Sequence, residues 1–353
     1  MSGVLARETR GAIPISGTVL RIGPATVRIR PRVIITGAAI IVVIAGLILL
    51  SLVVGSAQHG LADLPAVLAG DARPSVTRSV LGRRLPRALT AALVGALLGM
   101  SGAVFQSLSR NALGSPDIIG FTSGAATAAV FQIVVLGGGM LATACAAVIG
   151  GLVTALLVYA LARRDGVSGG LRLVLVGIGV GAVVSALSSL LIARADIDDA
   201  LLAQLWSAGS LTGRGWTHVV ALAIVAAIAV PVLFGLGRGL AILEMGDDSA
   251  HGVGVPAERV RFIAMIVAVV IAAAATAAAG PIAFIAFAAG QIARRLVPVP
   301  GVLTGLAGLV GAALLVGADL LAQHVEVGMR TPVGLVTSLL GGVYLLWLLA
   351  RRI

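Results

Sequence analysis

Apolar runs about as long as a bilayer is thick alternate along this chain with short, arginine-bearing connections. A helix rises 1.5 Å per residue, so it needs about 20 apolar residues to cross a hydrocarbon core of about 30 Å. By that measure ten runs predict spans, over 33–55, 88–109, 118–136, 140–162, 172–193, 217–236, 259–279, 281–297, 302–323 and 333–350. The eighth, around GPIAFIAFAAGQIARRL, is short and interrupted by glycine. Two connections are longer than the rest. Residues 194–216, RADIDDALLAQLWSAGSLTGRGW, predict a helix-sized piece too short and polar to span. Residues 237–258, GRGLAILEMGDDSAHGVGVPAE, divide the chain into halves of similar span number.

Composition agrees with that pattern. Of 353 residues, 59% are hydrophobic and 11% charged, whereas soluble domains carry about a quarter charged residues. The fold class is therefore an all-α polytopic membrane protein, with a basic tail over 1–32 and one transmembrane domain over 33–353. The run 33–55 exceeds the apolar core of about 7–15 residues found in secretory signals, so it is expected to be a retained span.

Charge then orients the bundle. All 25 basic residues are arginine and the net charge is +11. In a membrane chain, arginine in short loops sets orientation and does not call for nucleic acid. Ten spans put both ends on one side. With cytoplasmic termini, 17 arginines fall inside and eight outside, so the positive-inside rule places both termini in the cytoplasm. Five of the eight outward arginines share one connection: Arg73, Arg78 and the three of RRLPR, 83–87. Taken alone, these are either a flank anchored in the headgroups or a cationic ridge for an acidic partner.

Several chemistries are excluded. A phosphate-cradling loop needs a lysine after its glycines, and the chain has none. His-Glu-x-x-His and Gly-x-Ser-x-Gly are absent, and the single Cys145 with scattered His59, His218, His251 and His324 offers no metal centre. Gly177, Gly179 and Gly181 lie inside a predicted span, as do Gly305, Gly308 and Gly311. Small residues there allow helices to approach closely. Asp319 is the acid clearly within a span. It is expected to be structural, bonded to a neighbouring helix, because intramembrane acids find local partners.

Five motifs, in order, resemble the FecCD-type permeases of ABC importers for iron-siderophores, haem and cobalamin. They are RLPRAL with RNALGSPDIIGFTSGAA (110–126), LWSAGSLTGRGW (205–216), MGDDSAHGVGV (245–255), AGPIAFIAFAAGQIARRL, and ADLLAQ with TPVGLVTSLLGG. The resemblance covers residues 33–350. It implies ten helices per subunit in two inverted-repeat halves, a second permease subunit, two cytoplasmic ATPases and an extracytoplasmic binding protein. It implies no catalysis by this chain and no cofactor. Arg84 and Arg87 match the family's outward arginines, which pair with acidic residues of the binding protein. Gln323 stands where the family often has another, and Arg330 is the expected substitute. Gly246, Asp247, Ala250 and Gly254 match the segment that couples to the ATPase, with Asp247 suited to capping a short helix. Trp206, Ser207, Gly209, Ser210 and Thr212 lie in the segment 199–216, read as the outer gate, with hydroxyls available to the path.

Two departures matter. Ala112 replaces a usual proline, and Gly290-Gln291 replaces Pro-His or Pro-Gln, so the eighth helix is expected to end less sharply. The form GQIARRL is nearer the catecholate-siderophore permeases, which implies a ferric siderophore as cargo and a heterodimer over a homodimer. Haem or cobalamin import is the alternative within the family. An ion-coupled carrier is the rival outside it.

Overall fold

The computed structural model describes residues 18–22, 25–53, 63–117, 120–163, 170–324 and 331–350. A helix occupies each of the ten apolar runs. In chain order the helices are α1 (Pro31–Val53), α2 (Asp63–Ala69), α3 (Pro74–Ser79), a π-helical turn (Val80–Arg84), α4 (Leu85–Ser109), α5 (Phe121–Val134) and α6 (Met140–Ala162). They continue with α7 (Gly170–Arg194), α8 (Ile197–Ser207), α9 (Trp216–Leu243), α10 (Asp247–Gly252), α11 (Ala257–Ala279), α12 (Ile285–Leu296), α13 (Thr304–His324) and α14 (Val333–Ala350).

Among the described residues, seven helical stretches are long and apolar enough to cross a membrane: Pro31–Val53, Pro74–Ser109, Met140–Ala162, Leu171–Arg194, Trp216–Leu243, Ala257–Ala279 and Thr304–His324. The third and eighth runs are shorter as helices than as apolar stretches. The 14 residues of α5 begin after Gly120 and stop before the glycines at 137–139. The 12 residues of α12 begin only after Gly280-Pro281 and a left-handed Phe284, φ 70°.

Within the basic segment 1–32, Thr18–Ile22 and Ala25–Ile29 (β1 and β2) pair antiparallel, Thr18 opposite Ile29. The sequence reading passed over this hairpin. Its strands, TVLRI and ATVRI, are rich in the β-branched residues that favour a pleated strand.

The core is built around α4, which packs against α13, α11, α12 and α9, while α5, α6 and α7 form a second group joined through α6 to α11. Contact between α4 and α13 is the most extensive, and glycine allows it. A methyl group built on Gly95 would lie 2.3 Å from the carbonyl oxygen of Gly311, and one on Gly99 would lie 2.3 Å from that of Ala307. As numbers rise along α4 they fall along α13, so the pair is antiparallel. Gly308 also packs tightly, against Met100, and Gly305 against Phe234. On α7 the result is mixed, since Gly177 and Gly181 approach Gly120 but Gly179 meets nothing within 4 Å. At 1.5 Å per residue the 25 residues of α4 extend about 37 Å. Its two ends are therefore separate sites.

Candidate docking and coupling sites

The first site surrounds the N-terminal end of α4, and Pro86 shapes it. Proline has no N–H to give and its ring disturbs the preceding turn. The backbone answers with a π-turn, in which the Leu85 N–H donates to the Val80 carbonyl five residues back. Leu81 is left without a backbone donor for its carbonyl. The indole N–H of Trp216, first residue of α9, donates to it at 3.0 Å. Thus the arginine segment and the end of the gate segment are joined by one hydrogen bond.

Arg84 and Arg87 leave this turn in different directions. The Arg84 Nη1 donates to the carbonyls of Leu52 and Val53 at 2.7 and 3.1 Å, which belong to the unpaired last turn of α1. Arg87 forms a forked pair with Asp319 on α13, Nε to Oδ2 at 3.0 Å and Nη2 to Oδ1 at 2.8 Å. The Asp319 side chain is 4% exposed, against 24% for Arg87. The Gln323 amide completes the carboxylate, donating to Oδ2 at 2.9 Å. Asp319 is thus the structural acid expected, with a partner the sequence did not name. Arg330 lies outside the described residues.

The residues expected to form the gate meet a junction of three segments. Gly209, φ 68°, turns the chain after α8, and a methyl there would lie 2.4 Å from the Pro281 oxygen. The Ser210 N–H donates to the Ala279 carbonyl at 2.7 Å, and the Gly334 N–H to that of Gly209 at 3.3 Å. The end of α8, the α11–α12 connection and the start of α14 are therefore locked together. Gly280 and Gly334 belong to this junction and were not singled out from sequence. Trp206 and Ser207 are half-buried beside it. The Ser210 hydroxyl accepts the Thr212 N–H at 3.1 Å, while the Thr212 side chain is exposed. Burial lowers the pKa of neighbouring Arg214 from its usual value.

The second site closes the other end of α4. Arg110 ends that helix in a left-handed conformation, φ 49°. Its Nε donates to the Leu243 carbonyl of α9 at 3.0 Å, and its Nη2 pairs with Asp247. Arg261 reaches the same Asp247 oxygen at 2.8 Å and also pairs with Glu258. The Tyr159 hydroxyl donates to Glu258 at 2.6 Å. One carboxylate thereby connects α4, α10 and α11, with α6 attached through Tyr159. Asp247 does not cap α10. Gly246 holds the cap position and makes no side-chain bond. Asp247, one residue further in, turns instead to the two arginines, where donor and acceptor are both charged.

The rest of the loop is a small, fixed turn. Ala250 is fully buried and its carbonyl receives the Val255 N–H at 2.9 Å. Gly254, φ 76°, is in the region that L side chains avoid. Met245 and Val253 project outwards from the same turn. Nearby Asp117 accepts the Thr122 hydroxyl, and burial pushes its carboxyl pKa up.

The eighth helix ends at Leu296, after which Val297 is extended. The Gln291 side chain donates to the Ala112 carbonyl at 2.6 Å and pins the helix there. Glycine at 290 makes room for Gln106, since a methyl at that position would lie 2.3 Å from the Gln106 Oε1.

Comparison with known proteins adds the biological frame. The profile of the FecCD transport family matches residues 40–351. The chain is 47% identical over 287 residues to the ferric enterobactin transport system permease protein FepG of Escherichia coli (strain K12), covering 81% of this chain and 87% of that protein. It is 38% identical over 279 residues to the iron(3+)-hydroxamate import system permease protein FhuG of Bacillus subtilis (strain 168), covering 76% and 82%. It is 34% identical over 281 residues to the cobalamin import system permease protein BtuC of Halobacterium salinarum, covering 79% and 75%. Among solved structures, an inward-facing metal-chelate type ABC transporter superposes with a TM-score of 0.80 at 25% identity, covering 90% of this chain and 99% of that one.

Proposed function

Because the chain belongs to the FecCD transport family, we propose that it is the transmembrane subunit of an ATP-driven importer for a ferric siderophore. In this reading all ten helices span the plasma membrane as two inverted halves, with both termini cytoplasmic. A soluble binding protein delivers cargo at the N-terminal end of α4, around the segment that bears Arg84 and Arg87. Two ATPases engage the opposite end through α10 and its neighbours Gly246, Asp247, Ala250 and Gly254. The chain moves cargo and leaves hydrolysis to those partners. The gate is the α8 segment with Trp206, Ser207, Gly209, Ser210 and Thr212.

The observation that carries this reading is the joining of separate sequence motifs into two clusters at the two ends of one buried helix. At one end the α4 turn, the gate segment and α13 meet through Trp216–Leu81 and Arg87–Asp319. At the other, Arg110 and Arg261 hold α10 by Asp247. A helix about 37 Å long, packed through glycines that tolerate no added carbon, suits transmission between them.

Pairing with a second permease subunit draws support from α7. Ser185 and Ser189 are exposed on this membrane-length helix, and polar groups in a bilayer are ordinarily covered by protein or water. A non-identical sister subunit is the arrangement that the resemblance of the GQIARRL form implies. Cobalamin or haem is the second cargo reading, which the cobalamin relative keeps open.

Reconstitution of the chain with its sister subunit and ATPase in vesicles tests the proposal. ATP-dependent accumulation of ferric siderophore, triggered by the binding protein, is expected. Accumulation driven by a proton gradient without ATP would overturn it in favour of an ion-coupled carrier.

A further inference from the structure

The hairpin of β1 and β2 has no part in the docking, gate or coupling segments, and its register gives it two unlike faces. Thr18 pairs with Ile29, Leu20 with Val27 and Ile22 with Ala25, while Val19 pairs with Arg28 and Arg21 with Thr26. Residues paired across antiparallel strands share a face, and the faces alternate along each strand. One face therefore collects positions 18, 20, 22, 25, 27 and 29, of which only Thr18 is polar. The other collects positions 19, 21, 26 and 28, with both arginines. We infer that this hairpin lies flat on the inner leaflet of the membrane, its apolar face in the lipid boundary and its arginines among anionic phospholipid headgroups. The inference takes its orientation from the importer reading above and is otherwise independent of cargo and partners.

Three observations carry it. First, the hairpin needs a cover. Two strands alone are marginal in water and gain stability once an apolar face is packed. Among the described residues, neither strand packs extensively on a helix of the bundle. Second, the hairpin is held at the mouth of a membrane-length helix on the rim of the bundle. Arg30 alone separates β2 from α1. Its Nη1 donates to the Pro300 carbonyl, between α12 and α13, at 2.7 Å, and Val33 packs against the cluster around Val297. Arg294, in the last turn of α12, pairs with Glu244 just before α10. The hairpin thus stands at the coupling end. The neighbours of α1 are α13 and α4, and its Ile34, Ile35, Ile41 and Val42 are exposed, as a lipid-facing helix requires. Third, Arg21, Arg28, Arg30 and Arg32 follow one another with no acid between them, and Arg32 is exposed.

Basic segments beside a span find anionic lipid chiefly at the cytoplasmic leaflet, which is where the proposed orientation puts this end. An amphipathic element settles there with its apolar face about 5–10 Å into the boundary between headgroups and acyl chains. An acidic protein surface would answer the arginines and leave the apolar face uncovered. Lipid answers both faces at once, next to a helix whose outer side is already apolar.

The test uses the full chain with its sister subunit, ATPase added or withheld, in nanodiscs of phosphatidylcholine with or without phosphatidylglycerol. Cys145→Ser removes the one native cysteine of this chain, and a single spin label is placed at Val19→Cys, Leu20→Cys, Thr26→Cys or Val27→Cys. Collision with dissolved oxygen and with a water-soluble nickel chelate reads the depth of each label. With phosphatidylglycerol and no ATPase, labels at 20 and 27 are expected to favour oxygen over nickel several-fold more than those at 19 and 26, on the depth scale of an interfacial element. Arg21→Gln with Arg28→Gln, or omission of phosphatidylglycerol, should reduce that contrast at least twofold. No alternation between the faces overturns the inference. So does alternation that needs the ATPase, which would give the face to a protein partner, and so does a contrast indifferent to both lipid charge and the arginine pair. Modification of Thr26→Cys by a membrane-impermeant maleimide in intact cells would overturn the proposed orientation, and the inner-leaflet assignment with it. Alternation as expected in a complex without ATP-driven uptake would sink the importer reading and leave the hairpin's place standing.

Discussion

Replacing Asp319 by asparagine removes one charge from a buried, forked pair and leaves the other behind. Asp319 accepts Arg87 at 3.0 and 2.8 Å and Gln323 at 2.9 Å, with its own side chain 4% exposed. Asparagine keeps one acceptor oxygen and turns an N–H₂ towards the guanidinium, so the fork becomes partly repulsive. Breaking a buried pair from one side costs about 3–5 kcal/mol, because the remaining charge has lost its partner. Arg87 is 24% exposed and regains some water, so the lower end, about 3 kcal/mol, is the expected loss. Removing both charges as Arg87→Met with Asp319→Asn leaves no unpaired charge, keeps an acceptor for Gln323 and should fall within about 1 kcal/mol of wild type. The cycle is completed by Arg87→Met alone, expected to resemble Asp319→Asn. Denaturant unfolding in mild detergent, followed by α4–α13 distance labels, reads all four proteins. With each single loss about 3 kcal/mol and the double loss about 1 kcal/mol, a coupling energy of about 5 kcal/mol is expected. Additive single losses would refute the pairing as a stabilising unit. A double variant that is stable yet inactive would show that the charges serve transport itself.

Three further outcomes follow from the same geometry. A Cβ at position 254 would meet no atom within 4 Å, but the residue sits at φ 76°, so Gly254→Leu costs about 1–2 kcal/mol in a left-handed conformation. The subunit should reach the membrane folded while cargo-stimulated ATPase activity falls several-fold, and full stimulation would remove Gly254 from coupling. Trp216→Phe deletes the 3.0 Å bond to Leu81 at about 1 kcal/mol. Binding-protein affinity should hold and uptake should drop, whereas unchanged uptake would show that the bond is only local support. Asp117 holds its proton more tightly folded than unfolded because burial raises its pKa. Its presence therefore lowers stability as pH rises from the ordinary carboxylate value through the raised one. Asp117→Asn should stabilise at neutral pH and lose that advantage in acid, as measured by unfolding across a pH series.

Helix positions were legible because a bilayer imposes one length and one polarity, and hydropathy records both. The glycines of α13 could be read as packing sites for the same reason, whereas those of α4 were not singled out. Pairings across long separations could not be read that way. Arg87 was read as an outward docking residue from the orientation of the spans and its match to the family's motif. The fold adds a partner 232 positions away. One signal was present: Arg87 in the first turn of one span and Asp319 late in another stand at similar depths once the two helices run antiparallel. The bond between Trp216 and Leu81 left no such trace, since it depends on a carbonyl freed by Pro86. Asp247 was misread as a cap for a related reason. Short loops offer an aspartate many local uses, and only the fold shows that Arg110 and Arg261 converge on it.

Trp216 also gives the protein an optical reporter. The chain holds three tryptophans, Trp206, Trp216 and Trp347. With the first and last replaced by phenylalanine, a single emitter remains, half in solvent at 47% exposure and hydrogen-bonded to the turn between Arg78 and Arg83. Indole emission shifts with the polarity and hydrogen bonding around its N–H. Light from this one ring therefore reports, without any attached dye, any shift of the turn before α4 against the start of α9.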